Sequence, residues 1–493
     1  MSATSSMPSG GDSIAPRHLL VFPGSALTTL REALLADAPL ESAAFVLARP
    51  VRTPAGAWRL VAYEVVQVRA DEYDQRTPTA IDLPPAVVAR VMQRARADGS
   101  AVVATHTHPF RGSVQPSMRD RAGEIELMAA FRRRVPGVPH ARLIIGPDSI
   151  HAALLDTARD EWPLFVQEIG AELLIFEKEP RAGRTHASSD HTPPERQTYD
   201  RQIRAFGEDG QAHLANLRAA VIGLGGTGSV ATQQLAHLGV GSMLLIDPDQ
   251  IEPTNLNRIV GARASDVHRA KVDVARDLVL AVNPAAVVEA IQGDVRDASI
   301  IRRLLDVDIF LSCTDSQGSR AALTQLAYQY LVPGIDVGVA IHVGPTGVSH
   351  VSGRVQMLAP GLACLLCAGV LDPELVRRDL LTDEARAADS YIVGAAVPQP
   401  AVISLNSVAS SLAVTMLLSA VTGVPVATRH QRLRLEAGVV SRVETAPAPS
   451  CPWCSPRGAL ARGDSWPAPG RTMPTSGTFQ RLPEACVSLE APA

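Results

Sequence analysis

The chain has 493 residues, which is more than one hydrophobic core usually serves, so we expect about two to four domains. Its 46% hydrophobic and 19% charged residues are typical of a globular protein, and a net charge of -4 gives no electrostatic reason to expect nucleic acid as a partner. Residues 1–17 lack the apolar run of a secretory signal, and six cysteines with two C-x-x-C pairs favour a reducing compartment. We therefore expect a cytoplasmic protein.

The first part of the chain has an α/β pattern. After a flexible start at residues 1–17, residues 18–178 alternate β-rich runs such as "AAFVLA", "AVVATHTH" and "ARLIIG" with amphipathic helical stretches. Residues 179–198 are polar, contain proline and have no periodicity, so they are predicted to be a flexible linker. This predicts an N-terminal domain that is separated from the rest of the chain.

The stretch "THTHPFRGSVQPSMRD" contains two histidines, His106 and His108, that lie two apart on a predicted strand. That spacing puts both imidazoles on one face, where they can reach one ion. Ser117 and Asp120 follow in the pattern of a helix capping box, which would hold Asp120 in the first helical turn. The stretch is either a strand with a helix cap or a metal site with a fourth position open to water. Glu41, just before a buried strand, is the candidate general base.

Together these residues resemble the JAMM/JAB zinc metallopeptidases, which have a glutamate at the start of a strand, then H-x-H-P, then S-x-x-D. The resemblance implies that His106, His108 and Asp120 bind zinc. It also implies that Glu41 shuttles protons and that Ser117 helps to hold the oxyanion. The interval between His108 and Ser117 is one residue longer here than the common family spacing.

The second part of the chain predicts a doubly wound parallel sheet, because "RAAVIGLGGTGS", "SMLLID" and "DIFLSCTD" are strand-like runs separated by helix-length segments. The glycines of "VIGLGGTGS" would let backbone amides approach a phosphate at a helix N-terminus. Asp247 at the end of the next strand equally fits an NAD-binding domain. The later Arg258, Lys271 and Asp315 favour a triphosphate with Mg²⁺, since charge must be neutralised as pyrophosphate leaves.

In order, "YDRQIRAFGEDGQ", "VIGLGGTGS", "LLIDPDQIEPTNLNR", a lysine and "CTD" closely resemble the ThiF/MoeB/HesA family, relatives of ubiquitin-activating enzymes. The resemblance places this domain at residues 199–458. It implies ATP-dependent adenylation of the C-terminal glycine of a ubiquitin-like or sulfur-carrier protein by a homodimer. The implied ligand-binding residues are Gly223, Gly225, Gly226 and Gly228 for phosphate, Asp247 for ribose, Asn255, Arg258 and Lys271 for the phosphates, Asp315 for Mg²⁺, and Arg201 for the triphosphate of the other subunit.

Four cysteines form two C-x-x-C pairs, which predict a closed, structural zinc site; redox activity is the rival interpretation. Relatives of the ThiF/MoeB type hold zinc in the same two places. The four cysteines are Cys364, Cys367, Cys451 and Cys454. The other two are Cys313, in a predicted strand, and Cys486, in a predicted flexible tail at residues 459–493. Neither has the surroundings of an activated thiol, so no thioester is expected.

The run from Ala401 to Thr428 carries no charge and is long enough to span a bilayer. Its asparagine and serines argue against lipid, so we expect a buried core helix and no membrane association.

The complete pattern predicts a bifunctional enzyme that adenylates a carrier protein ending in Gly-Gly and processes or deconjugates that carrier with a zinc peptidase. A conjugating enzyme or a sulfur donor would be a further partner. Two alternatives remain open. The adenylated protein could be a sulfur carrier for cofactor or natural-product synthesis, or the N-terminal domain could be a docking scaffold without activity.

Overall fold

The computed structural model describes residues 16–155, 161–176, 193–381 and 400–471. Residues 1–15 of the predicted flexible start, most of the predicted linker and the end of the predicted tail, including Cys486, lie outside this part of the chain. The described residues form two large sheets with helices around them, which confirms the predicted α/β class.

The N-terminal domain is a curved eight-stranded sheet in the order β1-β3-β2-β6-β7-β8-β9-β10, and an additional β1–β9 pairing brings its ends together. A short hairpin, β4–β5, lies outside it. The elements are β1 (His18–Pro23), α1 (Ala26–Leu35), β2 (Ala43–Arg52), β3 (Trp58–Gln67), β4 (Gln75–Thr77), β5 (Ala80–Asp82), α2 (Pro85–Asp98), β6 (Ala101–Thr107), α3 (Met118–Arg134), β7 (His140–Ile145), β8 (Ile150–Leu155), β9 (Glu161–Ile169) and β10 (Leu173–Phe176).

Helices cover both faces of this sheet, because the strands are apolar on both sides. Leu27 and Leu30 of α1 pack into one buried cluster with Val103 of β6. Val91 of α2 and Phe131 of α3 belong to a separate cluster on the other side. The sheet between them holds the ends of β2 and β6 in fixed positions.

The C-terminal domain contains the predicted parallel sheet, with strands in the order β13-β12-β11-β14-β15, extended by three antiparallel strands, β16, β17 and β18. The elements are α4 (Pro193–Asn216), β11 (Arg218–Ile222), α5 (Gly226–His237), β12 (Ser242–Asp247), α6 (Lys271–Val282), β13 (Val287–Gln292), α7 (Ala298–Ile301), β14 (Ile309–Ser312), α8 (Gln317–Gln329), β15 (Gly334–Gly344), β16 (Gly347–Leu358), α9 (Pro373–Leu380), α10 (Ile403–Thr422), β17 (His430–Arg434) and β18 (Val439–Arg442).

Helix α10 is the uncharged run that could be mistaken for a membrane span. It is the one helix among the described residues that is both long enough and apolar enough to cross a bilayer. Half of its most apolar window is buried inside the protein. It packs against α5, β15 and β16. Ser410 donates a hydrogen bond to the Thr227 carbonyl in α5, so a polar group of this helix is used in packing. The helix therefore packs against the core of the C-terminal domain, as the sequence predicted.

The two domains share a buried interface. Core residues of the N-terminal sheet, including Val51 and Ile169, belong to the same apolar cluster as the core of the C-terminal domain. Arg59 of β3 is fully buried there and donates hydrogen bonds to the carbonyls of Tyr330, Leu305 and Leu331. Burial lowers the pKa of Arg59 to about 10 despite nearby carboxylates. The domains therefore form one packed body.

Two predicted boundaries differ from the structure. Helix α4 begins at Pro193, inside the segment assigned to the linker. Residues 459–471, assigned to the flexible tail, are packed: Ala459 and Ala461 are buried, and Asp464 pairs with Arg302 at 2.7 Å. The polar composition of this segment does not reveal these long-range contacts.

We expect Arg59→Met to destabilise the whole chain, because it leaves three buried carbonyls without a donor. The loss should be on the order of 3 kcal/mol. Thermal unfolding monitored by calorimetry measures it, with Arg69→Met, an exposed arginine paired to Asp71, as control. Equal melting temperatures for the two variants would contradict the role of Arg59 in joining the domains.

Candidate functional site

The first candidate site lies at the end of β6, where three predicted metal ligands meet. His106 Nε2 lies 3.6 Å from Asp120 Oδ1, and His108 Nε2 lies 3.3 Å from Asp120 Oδ2. One ligand atom from each residue lies within 4.8 Å of the other two. Although burial alone would raise it, the two neighbouring imidazoles hold the pKa of Asp120 far below its usual range. The aspartate is therefore anionic, as a metal ligand would need to be.

Asp120 is held in place by the predicted capping box. The Ser117 hydroxyl accepts a hydrogen bond from the Asp120 amide at 3.1 Å, and the Asp120 carboxylate accepts one from the Ser117 amide at 2.6 Å. The preceding loop is tied to the turn after β7, since Ser149 donates to the Gly112 carbonyl at 2.7 Å. The loop accommodates the additional residue without displacing Asp120 from the histidines.

Glu41 faces the same cluster from the start of β2. The pairing of β2 with β6 places Ala43 opposite His106, and the Glu41 carboxylate lies 3.9 Å from His108 Nε2. Burial raises the pKa of Glu41, and the two imidazoles partly offset this effect. A carboxyl group with a raised pKa beside a metal-ligand set is suited to accept and return a proton.

The donor set fits a zinc ion. The His106 Nε2 atom is buried and has no hydrogen-bond partner, which is costly unless a ligand occupies its lone pair. Two imidazoles and one carboxylate leave a fourth tetrahedral position for water. When bound, such an ion would supply a water of lowered pKa.

The second candidate site lies at the carboxyl ends of β11, β12 and β14, which adjoin one another in the parallel sheet. Gly223 follows β11 with a φ of 85°, which favours glycine. A Cβ on Gly228 would lie 1.8 Å from the Gly223 carbonyl oxygen, and one on Gly226 would lie 2.1 Å from Asn406 Nδ2. Gly225 is the residue that precedes α5. Backbone crowding therefore requires glycine at Gly223 and Gly228, whereas a Cβ on Gly225 would meet nothing within 4 Å.

Asp247 ends β12 beside this loop and is buried. Its carboxylate accepts a hydrogen bond from the Leu224 amide at 2.6 Å and lies 3.8 Å from Lys271 Nζ. Burial raises the pKa of Asp247, and Lys271 partly offsets the effect. Lys271 also pairs with Asp249 at 2.7 Å, so a cation is fixed beside the predicted ribose-binding carboxylate.

The remaining predicted residues differ in how closely they approach the loop. The Arg258 side chain comes within 3.5 Å of the position of a Cβ on Gly226, whereas buried Asn255 caps its own turn by accepting from the Glu252 amide. Asp315 is exposed three residues after β14. Arg201 is exposed on α4. The sequence prediction did not include Asn406 among the site residues, and its signal was an asparagine in an uncharged run.

The third candidate site is the predicted cysteine cluster. Cys364 and Cys451 Sγ lie 3.5 Å apart, as do Cys367 and Cys454 Sγ, and one sulfur from each of the four lies within 4.8 Å of the others. The amide of Ala448 donates to Cys367 Sγ. Four converging sulfurs with a backbone donor fit a four-thiolate zinc site with no open position.

Comparisons with known proteins agree with this division of the chain. Residues 199–453, just over half of the chain, match the model of the ThiF family. The chain belongs to the ThiF family. Residues 23–161 match the model described as prokaryotic homologs of the JAB domain. An N-terminal JAB-like domain is therefore fused to a ThiF domain, as the motifs predicted.

Curated relatives match the ThiF part. The molybdopterin-synthase adenylyltransferase of Escherichia coli (strain K12) is 35% identical over 147 residues, which is 29% of this chain and 59% of that protein. Ubiquitin-like modifier-activating enzyme 5 of Arabidopsis thaliana is 30% identical over 177 residues, or 32% and 39% of the two chains. The match thus spans less than two thirds of each relative.

Among solved structures, E. coli MccB with MccA-N7isoASN has a TM-score of 0.43 and 20% sequence identity, and the match covers 52% of this chain and 75% of that one.

We expect two zinc ions per chain, one in the His106 cluster and one among the four thiolates. His108→Ala should remove one ion and leave the other, because the two ligand sets share no residue. Elemental analysis of full-length protein purified without chelator measures the ratio, with His342→Ala at an exposed histidine as control. Equal metal content in His108→Ala and wild type would contradict a metal centre at the end of β6.

Proposed function

We propose that the ThiF domain adenylates the C-terminal carboxylate of a carrier protein with ATP and Mg²⁺. The observation that carries this proposal is the convergence of the glycine loop, Asp247 with Lys271, and the strand end leading to Asp315 at one edge of the parallel sheet. The family match supports it, because a relative of the ThiF part is named molybdopterin-synthase adenylyltransferase. A carrier with a C-terminal Gly-Gly is the proposed substrate.

We propose for each residue the role that the resemblance to the family implies. Backbone amides at the start of α5 would hold phosphate oxygens, and Arg258 and Lys271 would neutralise charge as pyrophosphate leaves. Asp247 would bind the ribose and Asp315 the Mg²⁺. The substrate carboxylate is itself the nucleophile, so the protein needs to position it rather than deprotonate it. In a homodimer, Arg201 would contact the triphosphate bound by the other subunit.

We propose in addition that the JAB-like domain is a zinc peptidase or isopeptidase that trims the carrier or releases it from conjugates. Glu41 would take a proton from the attacking water and return it to the leaving amine, and Ser117 would stabilise the oxyanion. The supporting observation is that the His106 cluster and Glu41 lie together with their ligand atoms converging. A domain used as a docking scaffold alone would not require this set.

A sulfur carrier is the second candidate substrate. One relative is named molybdopterin-synthase adenylyltransferase and another ubiquitin-like modifier-activating enzyme 5, and these names support keeping both a sulfur carrier and a ubiquitin-like protein as candidates. In the first case a sulfur donor, and in the second a conjugating enzyme, would accept the activated carrier.

Pyrophosphate exchange into ATP should depend on a carrier ending in Gly-Gly and should be lost in Asp315→Ala, because Mg²⁺ then lacks its protein carboxylate. The assay uses radiolabelled pyrophosphate with a panel of recombinant ubiquitin-like and sulfur-carrier proteins. Asp277→Ala, an exposed aspartate paired with Arg269, is the control. Wild-type exchange in Asp315→Ala would show that this residue does not hold the metal.

The reaction should stop at the acyl-adenylate. Burial raises the pKa of Cys313 to about 12, so its thiol is protonated at neutral pH and cannot act as a nucleophile. A non-reducing gel after incubation with ATP and carrier should show no thiol-sensitive adduct. An adduct that disappears in Cys313→Ala, or in Cys486→Ala, would overturn this expectation.

A further inference from the structure

A group of arginines forms a row that leads away from the nucleotide site across the antiparallel part of the second sheet. Gly338 of β15 is opposite Arg354 of β16, which is opposite Arg432 of β17. Directly paired residues share a face, so these positions form one line across three strands. Arg434, two residues after Arg432, lies on the same face. At about 4.8 Å per strand, the line from Gly338 to Arg432 spans about 10 Å.

The inner end of this row is anchored beside the nucleotide site. Asp336 of β15 is fully buried and pairs with Ser312, the last residue of β14, whose hydroxyl donates to Asp336 at 3.0 Å. The chain from Ser312 leads within three residues to Asp315. The Asp336 carboxylate binds the Arg354 guanidinium and lies 3.4 Å from Arg320 Nε of α8. Two guanidinium groups against one carboxylate leave an excess of positive charge.

The outer end of the row is exposed. Arg432 and Arg434 are both exposed, and the structure records no ion pair for either among the described residues. Residues that alternate with the arginines, such as Val355 and Leu433, are buried, and α10 packs against β15 and β16. Glu436 lies at the margin and accepts a hydrogen bond from the Val351 amide. The exposed face is therefore basic.

Arginine donors in and beside this row are incompletely used. Arg354 Nε is buried and has no hydrogen-bond partner, and Arg320 Nε, on the neighbouring helix α8, has its ion pair with Asp336 but no hydrogen bond. Gly338 allows both guanidinium groups to lie close against the strand, because a Cβ there would lie 3.2 Å from Arg320 Nη2 and 3.7 Å from Arg354 Nη2. Guanidinium donors gathered at one strand position suit the carbonyl and carboxylate oxygens of an extended peptide. About three extended residues would cover the 10 Å row.

A protein is a better occupant of this face than a nucleic acid. The hairpin that continues β15 and β16 exposes two paired valines, Val343 and Val348, at 60% and 62% of their surface. The chain as a whole has a net charge of -4, which opposes binding to a polyanion. Mixed basic and apolar surface is typical of protein interfaces.

We propose that this row binds an acidic segment of the carrier protein immediately before its C-terminal tail, with Arg320 and Arg354 contacting the tail and Arg432 and Arg434 contacting the acidic side chains. This inference rests on the proposed adenylation function, because it places the tail at the Asp315 end of the row. The inference extends the proposed function by predicting that the carrier is acidic before its tail and that these arginines select it.

Peptide binding tests the proposal without requiring turnover. The probes are two fluorescein-labelled peptides of about ten residues ending in Gly-Gly, one with glutamates before the tail and one with glutamines at the same positions. Fluorescence anisotropy with the full chain should show tighter binding of the acidic peptide. Added salt should reduce the difference, since screening weakens the contact.

Arg432→Glu with Arg434→Glu should weaken binding of the acidic peptide by about tenfold or more and leave the glutamine peptide nearly unchanged. Arg442→Glu is the matched control, because Arg442 is opposite buried Gln431, on the other face of the same strand pair, and pairs with Glu444. Equal weakening in the control, or equal affinity for the two peptides, would overturn the proposal. So would a change of oligomeric state in the double variant without any effect on peptide binding, which would assign the face to a second copy of the chain.

These results separate the inference from the proposed function. Selective binding of the acidic peptide without pyrophosphate exchange for any carrier would refute adenylation and retain the acidic-peptide site. Pyrophosphate exchange with a carrier, without selective binding of the acidic peptide, would refute the acidic-peptide site and retain adenylation.

Discussion

The arrangement of this protein depends on a buried arginine that joins two domains. Arg59 extends from the N-terminal sheet and supplies donors to three carbonyls of the C-terminal domain. Withdrawing it would leave those carbonyls unpaired in an apolar interface, at a cost well above that of an exposed contact. Asp308 adds to the constraint, because Gln167 of the first domain donates to it at 2.7 Å while the Arg218 amide of the second donates to its other oxygen. The two domains are therefore fixed relative to each other.

Both candidate sites are formed at the ends of strands. In the first domain, the pairing of β2 with β6 places Glu41 beside the histidines, and a capping box on α3 holds Asp120 against them. In the second domain, the glycine loop, Asp247 and the segment leading to Asp315 all follow adjoining parallel strands, so they lie at the same carboxyl edge of the sheet. In each case backbone hydrogen bonds fix the strand ends before any ligand binds, so little order has to be imposed by binding.

The sequence was most informative where function depends on residues close to one another in the chain. The capping box of Ser117 and Asp120, the two histidines of one strand and the glycine loop are local patterns, and the structure has the expected geometry at each. It was least informative about long-range packing. Nothing local to Arg59 indicates that its partners are more than 240 residues away. Likewise, the packing of Ala459 and Ala461 against the second domain could not be predicted from the sequence, because the segment is rich in proline and glycine.

The fixed interface limits how the two proposed activities can cooperate. If the domains moved to bring one site to the other, the interface would have to expose its shared apolar cluster and the buried charges of Arg59 and Asp308. Desolvated charged groups with specific partners make such an opening expensive. A carrier that uses both sites must therefore travel between them itself, by releasing its tail from one and binding at the other. A long, extended C-terminal tail is suited to this task, because it can enter either site while the domains remain in place.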